Sequence, residues 1–366
     1  MARRFTYDDW MESQGIPIHR GYYVEDLRTA ELGWWEDRQV DAAFMQLRGM
    51  EGVVEGRIEE IPPGHSLPPL KLSVDEQVYV LGGRGVATVW TDDARPKKTF
   101  EWATRSLFLV PRNSYCQLTN MDGNNPARLL HYNYLPIAMS ATPDPDFFVN
   151  NPYSTNSFLH STDEFYSEAK AVMEEGEGAF AGRGRQVWHG NFFPDMAAWD
   201  KLVPFWGRGA GGHVVFIQSP GSEMHAHMSV FPARTYKKGH RHGPGRVIVI
   251  PGGEGYSVMW EEGQEKIVIH WHEASCFVPP DRWFHQHFNL GRADGRYLAL
   301  HPPNQFMGMS EKVTDRGRDQ IEYPNEDPWI REYFESQLAE RGMTSEIPAE
   351  AYEDPTYEWD YSKSSD

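Results

Sequence analysis

The sequence predicts an all-β protein: two β barrels related by internal duplication, with a helical linker between them and a helix near the carboxy terminus. Short β-like runs follow one another between turn signals in two zones, and the chain carries 33 Gly and 26 Pro to supply those turns. Its 13 Trp, 17 Tyr and 19 Phe suit a turn-rich β protein with aromatic-lined cavities better than a helical bundle. The third observation is a repeat. LGGRGVATVW, ending at Trp90, lies over PGGEGYSVMW, ending at Trp260, and SLFLVPRNSYCQLTN (Ser106 to Asn120) lies over SCFVPPDRWFHQHFN (Ser275 to Asn289) at nearly the same spacing. In the second pair Ser106/Ser275, Phe108/Phe277, Pro111/Pro280, Gln117/Gln286 and Asn120/Asn289 are identical, the mark of a duplicated unit.

Residues 1–52 read as an amino-terminal arm, with a short helix over Asp8 to Gln14 among aromatic-rich irregular segments. Residues 53–135 form the first barrel, with strands in VVEGRIEEI, EQVYVLGG, VATVW, KKTFEW, SLFLV and ARLLHYNYL. Residues 136–212 are a Pro-, Asn- and Ser-rich linker. Phe165, Ala169 and Val172 recur there at helical spacing, which predicts a helix over Thr162 to Glu175. The second barrel spans 213–305, with strands in HVVFIQ, HAHMSVF, RVIVIP, GYSVMW, KIVIHW, SCFVPP and RYLALH. In 306–366, Asp327 with Pro328 starts a helix that places Ile330, Phe334 and Leu338 on one face and stops at Gly342. Beyond Gly342 the chain is expected to be extended or disordered.

The formal net charge is −18, which argues against nucleic acid or an anionic membrane as partner, because phosphate recognition needs a basic face. The segment from Ser310 onward holds 16 of the acidic and 6 of the basic residues, so most of the excess lies in that tail. Cys116 and Cys276 cannot build a disulfide framework, and no signal peptide or membrane-length apolar run is visible, so a cytoplasmic protein is expected. GRGAGG at 207–212 fits the dinucleotide fingerprint formally but precedes a strand rather than a helix, and is set aside. Cys116 reads as a small buried hydrophobe.

Chemistry concentrates in the second barrel, where eight of the 15 His form four His-x-His pairs: His225/His227, His240/His242, His270/His272 and His285/His287. Two residues apart on a strand means one shared face, so each pair can offer two imidazoles to one ion, although a structural histidine pair gives the same pattern.

HRHGPGRVIVIPGG and PDRWFHQHFN resemble the two motifs of the cupin superfamily, whose fold is a double-stranded β-helix or jelly-roll barrel. The resemblance puts His240, His242 and His285 at the three metal-ligating positions. Arg246 stands where the family has its fourth ligand, a glutamate, and Arg234 and Arg282 stand where glycines are usual. In the first barrel the corresponding residues are Leu70, Leu72, Glu76 and Cys116, so that site is lost. The chain thus resembles a bicupin with one working site, similar to three-histidine cupins of the gentisate-dioxygenase kind.

The resemblance implies iron(II) as cofactor, with manganese, nickel or zinc open, since all accept imidazole. It implies a dioxygenase whose substrate is a small chelating molecule, anionic, hydroxy-aromatic or enolisable, of the sort met in aromatic catabolism. Arg246 and His287 are the candidate catalytic groups, orienting substrate and stabilising negative charge. For Arg246 an outward ion-paired role, and for His287 a merely satisfied cavity histidine, stay open. Gln286, Trp283, Trp260, Tyr256, Tyr236 and His227 are candidate substrate contacts. His240, Arg241, His242, Arg246 and Arg282 make the local inventory neutral to cationic. The alternatives are an oxygen-independent lyase or isomerase using manganese, nickel or zinc, and a non-catalytic ligand-binding bicupin. Small-molecule substrate and dioxygen are the expected partners, and a homo-oligomer the expected state.

Overall fold

A computed structural model describes residues 5–153, 157–175, 182–198, 202–303 and 316–361. Two barrels emerge, each made of a larger and a smaller sheet. In the first barrel an eight-stranded sheet faces a four-stranded one that runs in the order Leu70–Lys71, Tyr115–Asn120, Arg84–Trp90, Lys98–Ala103. In the second, a nine-stranded sheet faces a five-stranded one ordered Ile267–Trp271, Gly255–Trp260, Phe284–Asn289, Gly239–His240, Gln320–Ile321.

The described part of the amino-terminal segment, 5–52, enters both sheet systems. Ile18–Gly21 pairs in parallel with Val40–Leu47 in the first barrel, while Tyr23–Val24 pairs with Cys276–Phe277 in the second. The linker does the converse: Arg185–Gly190 pairs in parallel with His213–Gln218, and Phe192–Phe193 crosses to Leu107 and Phe108 of the first barrel. The repeat therefore reaches the amino terminus. GYYVEDL at Gly21 and GNFFPDM at Gly190 are equivalent, and each hands one short strand to the other barrel.

The residues identical between the repeats maintain this scaffold. Ser106 Oγ donates to the Pro194 carbonyl at 2.7 Å and Ser275 Oγ to the Glu25 carbonyl at 2.6 Å, each fastening the strand that crosses over. Asn120 Nδ2 binds the carbonyls of Ile61, Pro62 and Asn125, and Asn289 Nδ2 those of Phe231, Pro232 and Ala293. The glycines have a steric cause. Gly83 and Gly253 sit at φ +96° and +98°, and a Cβ on Gly85 or Gly255 would meet the Trp102 or Trp271 ring at 2.2 and 2.7 Å.

Alternation along the strands sorts the cores. Phe44, Val78, Val80, Val89, Leu118 and Leu129 fill the first barrel. Phe231, Ile248, Ile250, Met259, Trp271 and Phe277 line the second. The outward faces of the two large sheets meet through Ile58, Leu81 and Leu130 on one side and Val215, Met228 and Leu298 on the other. Tyr132 adds a hydrogen bond to the Gly245 carbonyl at 2.7 Å across that junction.

The helix expected over Thr162 to Glu175 is not present. That stretch is turn, then the strand Ala169–Glu174, paired antiparallel with Arg185–Gly190. Its Ala171, Val172 and Met173 are exposed, so of the helically spaced residues only Phe165 is buried, and backbone pairing to an open sheet edge decides the conformation. The linker helices lie instead at Leu135–Ala141 and Pro145–Phe148. The amino-terminal helix spans Thr6–Ser13. The carboxy-terminal one spans Pro328–Ala339, with Asp327 accepting from the Trp329 amide, Ile330, Phe334 and Leu338 buried, and Gly342 at φ +67°. After Gly342 the described chain packs rather than trailing away, burying Ile347 and Ala351 against the five-stranded sheet. No helix among the described residues is long and apolar enough to cross a membrane.

Candidate metal centre

Register brings the proposed ligands together. His240 on its two-residue strand stands directly opposite His285, and the equivalent pair in the first barrel is Leu70 opposite Cys116. His242 follows two residues on. The three buried imidazoles offer nitrogens that all lie within 4.8 Å of one another, an arrangement that could hold a metal ion.

Each Nδ1 meets a backbone carbonyl: Lys238 at 3.3 Å for His240, Gly243 at 2.7 Å for His242 and Trp283 at 3.2 Å for His285. A carbonyl only accepts, so Nδ1 carries the proton and the Nε2 lone pair is left for a ligand bond. Outer partners of this kind orient metal-binding imidazoles and raise their basicity. Burial holds all three below the ordinary imidazole range, His285 down to about 3, with Arg208 and, at His242 and His285, Arg246 adding to the effect. Each imidazole is neutral at pH 7 with Nε2 unprotonated, as coordination requires.

Arg246 immediately precedes the Val247–Gly252 strand, which pairs with Gly295–His301. Its charge adds to burial in holding His225, His227 and His301 below the ordinary imidazole range. His227 Nδ1 and His301 Nε2 are 2.8 Å apart. His287 shares the inward parity of His285, with ring centroids 5.5 Å apart, and its Nδ1 lies 2.8 Å from Ser257 Oγ. Trp283 is half-buried against Tyr22.

Four other candidates lie elsewhere. Tyr236, Tyr256, Trp260 and Gln286 occupy the opposite face of the five-stranded sheet, beneath Phe334 and Leu338 of the carboxy-terminal helix. Gln286 Nε2 donates to the Lys237 carbonyl at 3.1 Å, as Gln117 does to Leu67 in the first barrel at 3.1 Å, so its role is architectural. Arg241 and Arg282 bind Asp319 rather than facing the triad.

Sequence reasoning missed three residues. Arg208, inside the dismissed GRGAGG segment, donates to Gln320 Oε1 at 2.9 Å and acts electrostatically on all three triad histidines. Lys237 and Ser257 are buried in the second barrel where the aligned first barrel has Leu67 and Ala87, a contrast visible in the repeat alignment itself.

In the first barrel, Leu70, Leu72, Val74, Glu76, Val110, Pro111 and Cys116 line a void of only about 20 Å³. Cys116 is buried, and burial pushes its thiol up, with the nearby Glu76 adding to the shift. Glu76 accepts from Arg57 at 3.2 Å, Asn133 at 3.1 Å and His131 at 2.9 Å. Arg57 further binds Glu59 at 2.8 Å and Glu55, so the acid retained at the family's ligand position belongs to an internal ion network.

The fold is two β barrels, each of a larger and a smaller sheet, the architecture expected from the sequence. No sequence profile of a protein family matches the chain, and no curated protein matches it. Among solved structures, coconut cocosin is 11% identical over 88% of this chain and 97% of its own, with a TM-score of 0.49. Oxalate decarboxylase of Lactobacillus farciminis, as its formate complex, is 11% identical over 77% and 86%, at 0.48. Salicylate 1,2-dioxygenase of Pseudaminobacter salicylatoxidans is 12% identical over 68% and 71%, at 0.47. At these values nothing about activity passes from those proteins to this chain.

Proposed function

We propose that this bicupin is a metal-dependent dioxygenase, using iron(II) at His240, His242 and His285 of the second barrel and acting on a small, chelating, anionic hydroxy-aromatic or enolisable substrate. The observation that carries the reading is the triad with every Nδ1–H committed to a backbone carbonyl and every Nε2 left as donor. Three neutral imidazoles with no carboxylate among the grouped ligands leave a divalent ion its full charge, which favours anionic oxygen chelators. Bound there, iron would supply Lewis acidity and an open face for substrate and dioxygen.

The chain's own groups supply the rest. Arg246 offsets negative charge carried by the bound substrate, and His287 gives it a hydrogen bond. Trp283 and His227 would border it. Water is kept out by the apolar lining of Ile248, Met259, Phe277 and their neighbours.

The test is metal analysis of the purified protein followed by an oxygen-electrode screen with catechols, gentisates and β-diketones. The reading expects iron and substrate-dependent oxygen uptake. Turnover under argon would overturn it in favour of an oxygen-independent lyase or isomerase.

A further inference from the structure

The two barrels form an internal control for the neighbourhood of His287. Trp271 is equivalent to Trp102, Ser257 to Ala87 and His287 to Leu118, as the repeat alignment and the paired registers show. In the first barrel Trp102 Nε1 is buried without a hydrogen-bond partner, because Ala87 offers none. In the second, Trp271 Nε1 donates to Ser257 Oγ at 3.1 Å, and Ser257 Oγ lies 2.8 Å from His287 Nδ1. The scaffold folds with a tryptophan, an alanine and a leucine at these positions, so the serine and histidine are additions that the fold does not demand.

The direction of the chain of hydrogen bonds follows from the donor inventory. Indole Nε1–H only donates, so Ser257 Oγ accepts from it. If His287 Nδ1–H also donated to Oγ, the hydroxyl proton of fully buried Ser257 would have no acceptor among the described residues, an arrangement disfavoured by roughly 10- to 100-fold. Ser257 therefore donates to Nδ1, and the proton of the neutral imidazole sits on Nε2.

We propose that Trp271 and Ser257 are positioning residues that lock His287 as an Nε2–H donor, so that the second barrel selects a ligand presenting an acceptor oxygen, such as a carboxylate or phenolate, beside the His240/His242/His285 group. The proposal rests on the metal-site reading for its ligand, but its tautomer is a property of the chain alone. His287 is 2% exposed, and no partner for its Nε2 is found among the described residues. A ligand with a donor or an apolar group at that point would leave the buried N–H without an acceptor.

The experiment is two-bond ¹H–¹⁵N correlation of the histidine side chains in the full-length protein loaded with diamagnetic zinc(II), with His287→Asn used to assign the resonance. We expect a pyrrole-type Nε2 and a pyridine-type Nδ1 at His287. Ser257→Ala, which recreates the first barrel's alanine, is expected to abolish that preference, and Ser257→Thr to restore it. Binding of 4-nitrocatechol, followed by its absorbance, should weaken at least fivefold in Ser257→Ala while zinc content is unchanged. A protonated Nδ1 at His287 in the unaltered protein, or an unchanged tautomer in Ser257→Ala, overturns the proposal. Loss of zinc binding in the unaltered protein would instead strike the metal reading.

Discussion

His240 stands directly opposite His285 across two antiparallel strands, and the same register in the first barrel sets Leu70 opposite Cys116. One backbone arrangement thus carries a ligand pair in one barrel and an apolar pair in the other. The backbone is common to both barrels; the side chains alone decide whether an ion can bind.

The first barrel gains a different interior. Arg57 is surrounded by Glu55, Glu59 and Glu76, all buried, with His131 between the last two. Arg57→Met should leave three buried carboxylates short of their main cation and lower stability by about 3–5 kcal/mol, read from urea unfolding. Metal content should be unaffected, because the triad lies in the other barrel. A loss under 1 kcal/mol would show that the network is not held by Arg57.

The docking of the carboxy-terminal helix should depend on pH. Glu326 accepts from Tyr236 and, at 3.2 Å, from Gln286, and burial raises its carboxyl to about 7. A folded-state value above the unfolded one contributes stability that is complete below about 4.5 and is lost as pH rises through about 7. Protection of the Pro328–Ala339 amides, corrected for the intrinsic exchange rate, should therefore fall between about pH 4.5 and 7 and level off above, and Glu326→Gln should remove that dependence. An identical profile in Glu326→Gln would assign the effect elsewhere.

The reciprocal strand exchange gives a paired prediction. Ser106→Ala and Ser275→Ala each remove one hydrogen bond to a crossing strand and should each cost about 1–2 kcal/mol in chemical denaturation. The two sites share no partner, so the double variant should show the sum. Strong non-additivity would mean that the two crossings are coupled through the barrel junction.

Much of this architecture was legible in the sequence because duplication repeats its structural constraints. Gly83/Gly253, Asn120/Asn289 and Ser106/Ser275 recur since a positive φ, a loop clasp and a crossing strand recur with them. The differences carry the chemistry: Leu70 against His240, Leu72 against His242, Cys116 against His285 and Leu118 against His287. Facing was harder to read. Gln286 neighbours His285 in sequence yet points to the other side of the sheet, and Tyr256 and Trp260 follow it, because strand parity cannot be fixed before the register is known. The helical spacing of Phe165, Ala169 and Val172 misled because only Phe165 is buried. The amino-terminal strands escaped notice because their repeat is short and conserves little beyond Gly21/Gly190 and Asp26/Asp195.

The central claim is that one barrel binds metal and the other does not. Metal stoichiometry of the purified protein, measured by inductively coupled plasma mass spectrometry for the unaltered chain, His240→Ala, His285→Ala and Cys116→Ala, tests it most directly. The account predicts one equivalent per chain in the unaltered protein and in Cys116→Ala, and a loss of at least tenfold in either histidine variant. Two equivalents per chain, or full metal content in His240→Ala, would contradict it.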